Sequence, residues 1–379
     1  MIIKRRLFLP FVVLLPPLIG ADMVLFEPVP KRVYQRTGYQ PRTAHADHPG
    51  GPTVGYADVT IRGDVAGYIT GKVRARAAPR AIAFGKGTDW TEVPVKWDQR
   101  KFQGTIRVPA GGWYRLEVEV SNDAGLIAAG RIEPFGVGEL FLTAGQSYAG
   151  NHNDERLTIT DPEQRVVAFD WARQQWAVAN DPQPNCTGQD GSIWPAVMNT
   201  LLPVIQVPIG LIHTAVGATA VEEWLPDQPP KRRDNQMFLL YLRLAVAGNA
   251  SKPVRAVLWQ QGESDVIANT TAEVYTERLQ RIVDESAKDW GFRPSWLLAK
   301  STHHPTVYRK PEQEAAIRSA IDQLWRKPGF RPGPDTDILT GSNRGGPSTR
   351  RHFSPEGQRN AGLLWFATIW RLLEESPAE

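Results

Sequence analysis

Cysteine is nearly absent from this sequence: Cys186 stands alone among 379 residues. No internal disulfide can form, and the residue reads as a small buried hydrophobe rather than a redox or metal group. Charge of one sign is also lacking. The net charge is only +4, with no compact Lys/Arg stripe, so nucleic acid is not an expected partner. No apolar run after residue 21 is long enough to cross a bilayer. Internal repeats and low-complexity tracts are missing. His303 and His304 are adjacent, which on an extended chain points them apart, and no acidic partner sits at ligand spacing. They read as loop histidines at a cleft rim; no metal and no other cofactor is expected.

Tryptophan, by contrast, is plentiful. Thirteen are present, and tryptophan lines sugar-binding clefts as well as cores. Residues 1–21 read as a signal peptide: Lys4-Arg5-Arg6 is a basic start and Leu7 to Leu18 an apolar stretch, with cleavage expected after Ala21. A secreted or periplasmic location follows, with membrane contact only if the segment is retained. Residues 22–52, rich in Pro, Arg, Gly and His, read as a linker or extended arm.

From residue 53 to 135 the pattern changes to short alternating runs, such as Val59-Thr60-Ile61-Arg62-Gly63 and Tyr114-Arg115-Leu116-Glu117-Val118. Turn residues punctuate them, which predicts a small β-sandwich. From 136 to 379 continuous apolar runs alternate with helical patterns. The predicted strands are Leu140–Ala144, Val207–Ile212, Val254–Trp259, Trp296–Ala299 and Asp337–Thr340. The predicted helices are Trp194–Leu202, Asn235–Val246, Ala272–Asp289, Glu312–Trp325 and a last one opening at Ser354-Pro355-Glu356 and running to Leu373. Continuous rather than alternating strands belong to a parallel sheet covered on both faces, so a three-layer α/β domain is expected.

Ligands in such sheets sit beyond the carboxyl ends of the strands. That edge collects Gly145-Gln146-Ser147, then Gly217, then Gln261-Gly262-Glu263, then His303-His304, and finally His352 before the last helix. Ser147 ends an apolar run at a tight turn, the setting of a serine nucleophile, and His352 is the base such a serine needs. The amide N–H groups of Ser147 and Gly217 and the side-chain amide of Gln261 are candidate donors to an oxyanion. Glu263 reads as a brace, since ester hydrolysis leaves it no proton to move. Glu222 and Glu223 read as brace or solvated charge, and Trp224 and Trp259 as core.

These blocks resemble the SGNH-hydrolase superfamily, in its sialate O-acetylesterase-like branch, which includes carbohydrate esterase family 6. Gly138-Glu139-Leu140 and Gly145-Gln146-Ser147-Tyr148 match its first block, Gly217 to Trp224 its second, and Trp259 to Asp265 its third in full. His352-Phe353 matches the last. The resemblance implies a flavodoxin-like parallel-sheet domain with Ser147 as nucleophile and His352 as base. It also implies an oxyanion hole of Ser147, Gly217 and Gln261, with Gln146 and Glu263 in support. Two positions depart from the pattern: Tyr148 replaces an asparagine, and Thr349 occupies the place of the acid. Asp337 is the first candidate to replace that acid, with Asp335 or Asp265 next; a Ser–His dyad is the alternative. The expected activity is hydrolysis of O-acetyl or other short acyl esters on carbohydrates, with an acetylated carbohydrate as substrate. A non-catalytic carbohydrate-binding protein and a sugar O-acyltransferase are the other readings.

Overall fold

The computed structural model describes residues 22–38, 55–67, 70–81, 85–227, 254–346 and 351–375. The expected signal peptide, the helix expected at 235–246, and Thr349 lie outside these residues. Eight strands come first: β1 (Met23–Glu27), β2 (Val33–Gln35), β3 (Tyr56–Val65), β4 (Lys72–Pro79), β5 (Thr91–Val93), β6 (Val95–Asp98), β7 (Lys101–Pro109) and β8 (Gly111–Asn122). One antiparallel sheet runs β1-β3-β7-β6; in the other, β5, β4 and β8 lead to β9, Gly125–Gly145. Alternation is strict where one face is covered, as in Lys101–Pro109. Val59, Ile61, Ile106 and Val108 from the first sheet share one core with Val73, Ala75, Leu116 and Val118 from the second.

The segment 22–37, expected as linker or arm, is built into the fold. β1 pairs with β3, and β2 pairs with β9 in parallel. Just beyond β2, Arg36 donates to Glu139 Oε1 at 2.7 Å, Arg255 donates to Glu139 Oε2 at 2.7 Å, and Gln35 bonds both Glu139 and the Leu140 amide. Burial pushes the Glu139 carboxyl up, but the two guanidiniums outweigh it and hold it below the usual carboxylate range. Removing one side of a buried pair strands the other charge. Glu139→Gln is therefore expected to cost about 3–5 kcal/mol of stability, read by denaturant unfolding.

The boundary expected between residues 135 and 136 falls inside β9, so sandwich and parallel sheet share one strand. Gly125–Val137 pairs antiparallel with β8. Its second half pairs in parallel on both sides within a sheet ordered β11-β10-β12-β9-β13-β14-β15. The new strands are β10 (Val166–Asp170), β11 (Gln175–Val178), β12 (Ile209–His213), β13 (Ala256–Gln260), β14 (Ser295–Lys300) and β15 (Phe330–Asp335). Only β11 is antiparallel, closing a hairpin with β10. The last strand was expected over Asp337–Thr340; it ends at Asp335 instead, and Thr336–Ile338 is a turn of 3-10 helix. The apolar pair Ile338-Leu339 belongs to that turn, with Ile338 exposed.

Among the described residues, five helices cover the parallel sheet: α1 (Trp194–Ile205), the short α2 (Glu263–Ala268), α3 (Ala272–Trp290), α4 (Pro311–Leu324) and α5 (Pro355–Glu375). Successive side chains of a strand face opposite layers. Leu140, Leu142 and Ala144 pack with Leu279 and Ile282 of α3 and Ile317 and Ile321 of α4. Phe141, between them, packs with the layer holding Val197 and Leu201 of α1 and Trp365 and Ile369 of α5. Trp224 and Trp259 are fully buried, as expected of core. Ser354 caps α5, accepting the Gly357 N–H at 3.1 Å. No helix among the described residues is long and apolar enough to cross a membrane.

Candidate active site

β9 is the topological switch: β10 to β12 are laid down on one side of it and β13 to β15 on the other, which opens a crevice at its carboxyl end. Gly145 makes the exit possible. Its φ is +132°, and a Cβ there would lie 2.0 Å from the Gln260 carbonyl oxygen. Gln146 N–H then bonds that same oxygen, and the chain closes a tight turn, with the amides of Ala149 and Gly150 donating to Gln146 O. Ser147 sits on this turn, 6% exposed. No acceptor among the described residues takes its N–H.

His352 is brought to the same place by backbone clips. Asn153 Oδ1 accepts the Phe353 N–H at 3.1 Å, Asp154 N–H donates to Phe353 O, and Gly345 N–H donates to His352 O. The imidazole lies in a box of rings, edge-on to Tyr148 at 5.2 Å, stacked on His152 at 5.6 Å and edge-on to His304 at 5.7 Å. Its Nε2 is buried and meets no hydrogen-bond partner, so it makes no bond to Ser147 Oγ in this state. Tyr148, the chain neighbour of Ser147, is thus the residue of the serine turn that touches the His352 ring. Burial, then the neighbouring His304, His152, Arg351 and Arg344, push the His352 pKa down to about 3. Burial and these neighbours thus favour the neutral imidazole.

Three expected roles change. Gly217 N–H, expected to point into the cleft, donates to Thr187 Oγ1 at 2.6 Å. The Gln261 amide is fully used inside the protein: Nε2 donates to Asp265 Oδ2 at 2.6 Å and Thr219 O at 2.9 Å, and Oε1 accepts from the Tyr275 hydroxyl. With both protons committed and no exposure, Gln261 is a brace. Gln261→Ala is accordingly expected to lower stability by about 1–3 kcal/mol, measured by thermal unfolding. Its kcat should fall by less than about tenfold, whereas a loss of about 10²–10³ would return its amide to the oxyanion hole.

The third change concerns the acid. Asp337 does not reach His352. Its Oδ1 accepts the amides of Thr302 (2.7 Å) and His303 (2.8 Å), and its Oδ2 accepts the Thr302 hydroxyl and Arg318, both at 2.7 Å. It lies two residues past the strand, aimed at the β14 loop. Asp335 is also paired with Arg318, at 2.6 Å, and Asp265 serves Gln261 and the Val221 amide.

The supporting residues are placed. Gln146 Oε1 accepts the Ser264 N–H at 3.1 Å, tying the serine turn to α2. Glu263 accepts the Ser301 hydroxyl at 2.5 Å, while its second oxygen is buried without a partner. Burial raises its pKa to about 8. A raised carboxyl pKa means the folded state holds a proton that the unfolded state releases, so stability falls as pH rises from about 4.5 to 8. Glu263→Gln removes that dependence. The variant's unfolding temperature is expected to gain on the wild type across that window and stay parallel above it. Glu223 caps its own turn by accepting the Ala220 N–H, and Glu222 pairs with Arg278.

His303 and His304 do diverge: His303 faces Glu314 at 3.8 Å, and His304 packs on Tyr148. Residues that sequence reasoning missed are His152, whose ring stacks on His352, Asn153, which clips the His352 loop, and Arg344, stacked over Tyr148 at 4.9 Å. The available signal was Asn151-His152-Asn153 so soon after Ser147, a polar run inside a buried turn. Arg344 had none.

The architecture is the expected three-layer α/β fold, a mostly parallel sheet between helical layers with the Ser147 turn at the switch strand. Residues 137–322 match the family of carbohydrate esterases described as sialic acid-specific acetylesterases. A probable carbohydrate esterase of Arabidopsis thaliana is 32% identical over 177 residues, 41% of this chain and 65% of that relative. The fold is also similar to that of a carbohydrate acetylesterase from Xanthomonas citri. That likeness has a TM-score of 0.50 and 17% identity, covering 92% of this chain and 74% of the other.

Proposed function

We propose that the protein is a carboxylic ester hydrolase that removes O-acetyl groups from carbohydrates through a Ser147 acyl-enzyme. The observation that carries this reading is Ser147, held at the switch strand by Gly145 with a free amide N–H and with neutral His352 one ring away. In the reaction, Ser147 Oγ attacks the ester carbonyl as His352 takes its proton; the amide N–H of Ser147 receives the developing oxyanion. The protonated imidazole returns the proton to the departing sugar oxygen. Water, deprotonated by the same ring, then releases acetate. The family match over 137–322 and the acetylesterase likeness support the acyl group and the sugar.

Acetate release from O-acetylated sugars tests this directly. Steady release with water as acceptor is expected. Transfer of the acetyl group to an added sugar would make the protein an acyltransferase, and binding without turnover would make it a lectin-like protein. Export from the cytoplasm belongs to the same reading, on the strength of the Lys4–Ala21 pattern. Amino-terminal sequencing of the mature protein is expected to start after Ala21.

A further inference from the structure

We propose that Tyr148 is a positioning residue for the base, holding His352 in the orientation that an acidic partner usually enforces. This rests on the reading of Ser147 and His352 as nucleophile and base. Tyr148 and Thr349 are the two departures from the family pattern, and Tyr148 takes over the geometric part of the missing acid's work.

The Tyr148 hydroxyl has one proton. It donates that proton to the carbonyl of Arg351, the peptide unit that carries the His352 nitrogen. Its oxygen also lies 3.2 Å from His303 O and 3.2 Å from His304 Nδ1. One hydroxyl therefore joins the serine turn, the β14 loop and the base's own backbone. Gly345 and Asn153 hold the next peptide unit from both sides, through His352 O and Phe353 N. The imidazole is left no freedom except within its ring box. Tyr148 is itself immobilised: it is fully buried, with the Arg344 guanidinium over its face and Phe353 at 4.7 Å. Arg344 is anchored in turn on the carbonyls of Leu339 and Thr336.

An acid in a triad does two things: it orients the ring and it offsets the charge the ring acquires. Tyr148 supplies the first alone. Among the described residues, the groups that face His352 are Tyr148, His152, His304, Arg351 and Arg344, none of them anionic. Asp337, Asp335 and Asp265 are each committed elsewhere. The base should therefore stay neutral far into acid, and the acid limb of the rate profile should lie well below that of an ordinary histidine, about pH 6.5.

The test is Tyr148→Phe in the full chain, with p-nitrophenyl acetate as probe. Without the hydroxyl, the Arg351 carbonyl is released and the ring gains access to water. The expected result is a kcat about 10–100-fold lower with KM nearly unchanged, and an acid limb shifted up toward about pH 6.5. A purely structural role would lower the unfolding temperature without moving the limb. Wild-type kcat and an unmoved limb in Tyr148→Phe would overturn the proposal. A crystal structure of the wild type is independent of how that variant folds. A carboxylate oxygen within about 3.2 Å of either His352 ring nitrogen would overturn it equally. If Ser147→Ala keeps its activity, the reading of the site fails; if it is inert while Tyr148→Phe behaves as wild type, only this inference fails.

Discussion

Ser147→Ala should lower kcat/KM for p-nitrophenyl acetate by about 10⁴–10⁶-fold and leave the unfolding temperature within about 2 °C of wild type. The size follows from what is lost. Without Oγ there is no covalent intermediate, and the remaining amide donor acts on water attack alone. Stability is spared because no described group hydrogen-bonds the Ser147 hydroxyl, whereas the turn itself is made by the Gln146 carbonyl and Gly145. Steady-state rates and thermal unfolding on the same preparations check both halves. Residual activity within tenfold of wild type, about 1.4 kcal/mol of barrier, would remove Ser147 from the chemistry.

His352→Ala should cost about 10⁴-fold in kcat, and Asp337→Asn should behave in the opposite way. Asp337 holds the Thr302 and His303 amides and Arg318, so its loss falls on stability, while kcat per folded molecule changes little. The contrast separates a dyad from a triad that borrows Asp337. Equal losses in the two variants would restore Asp337 as the acid. In the wild type, activity should persist through pH 5, because a base whose pKa is pushed down to about 3 by burial and its cationic neighbours remains unprotonated there. The same shift has a stability sign. The unfolded state takes up protons below about pH 6.5 that the buried ring refuses, so this group's own contribution to stability declines on acidification from that point, opposite in sign to the contribution of Glu263.

The layering of the catalytic domain was legible because buried parallel strands leave an unmistakable trace. Val254–Trp259 and Trp296–Ala299 are continuous apolar runs, and each lies within two residues of its strand. Ser354 before Pro355 marked the last helix correctly for a local reason, the cap bond to Gly357. Where local signal and tertiary context part, the reading failed. Met23–Glu27 and Val33–Gln35 are short and sit among prolines, yet pairing with β3 and β9 makes them strands. Val166–Asp170 is an apolar run of the right kind, but its hairpin partner is too brief to signal itself.

At the site, the sequence reading set Ser147, Gly217 and Gln261 at the strand ends where they lie, but not their bonds. Gly217 and Gln261 do lie at strand ends; what takes up their donors is Thr187 and Asp265. Thr187 is distant in sequence from Gly217, and the Gln261–Asp265 bond runs from the loop before a helix only six residues long into its first turn. Tyr148 was noted as an oddity. Its role emerges only when Arg351, His304 and His352 are seen around it.

The central claim is that Ser147 is the covalent nucleophile. Its most direct measurement is intact-mass and peptide mapping after reaction with an aryl alkylphosphonate, which transfers a phosphonyl group to an activated serine and releases the phenol. One adduct per chain is expected, on the peptide carrying Ser147, formed in step with loss of esterase activity and absent from Ser147→Ala. Inactivation with the adduct on any other residue, or the same labelling of Ser147→Ala, would contradict the account.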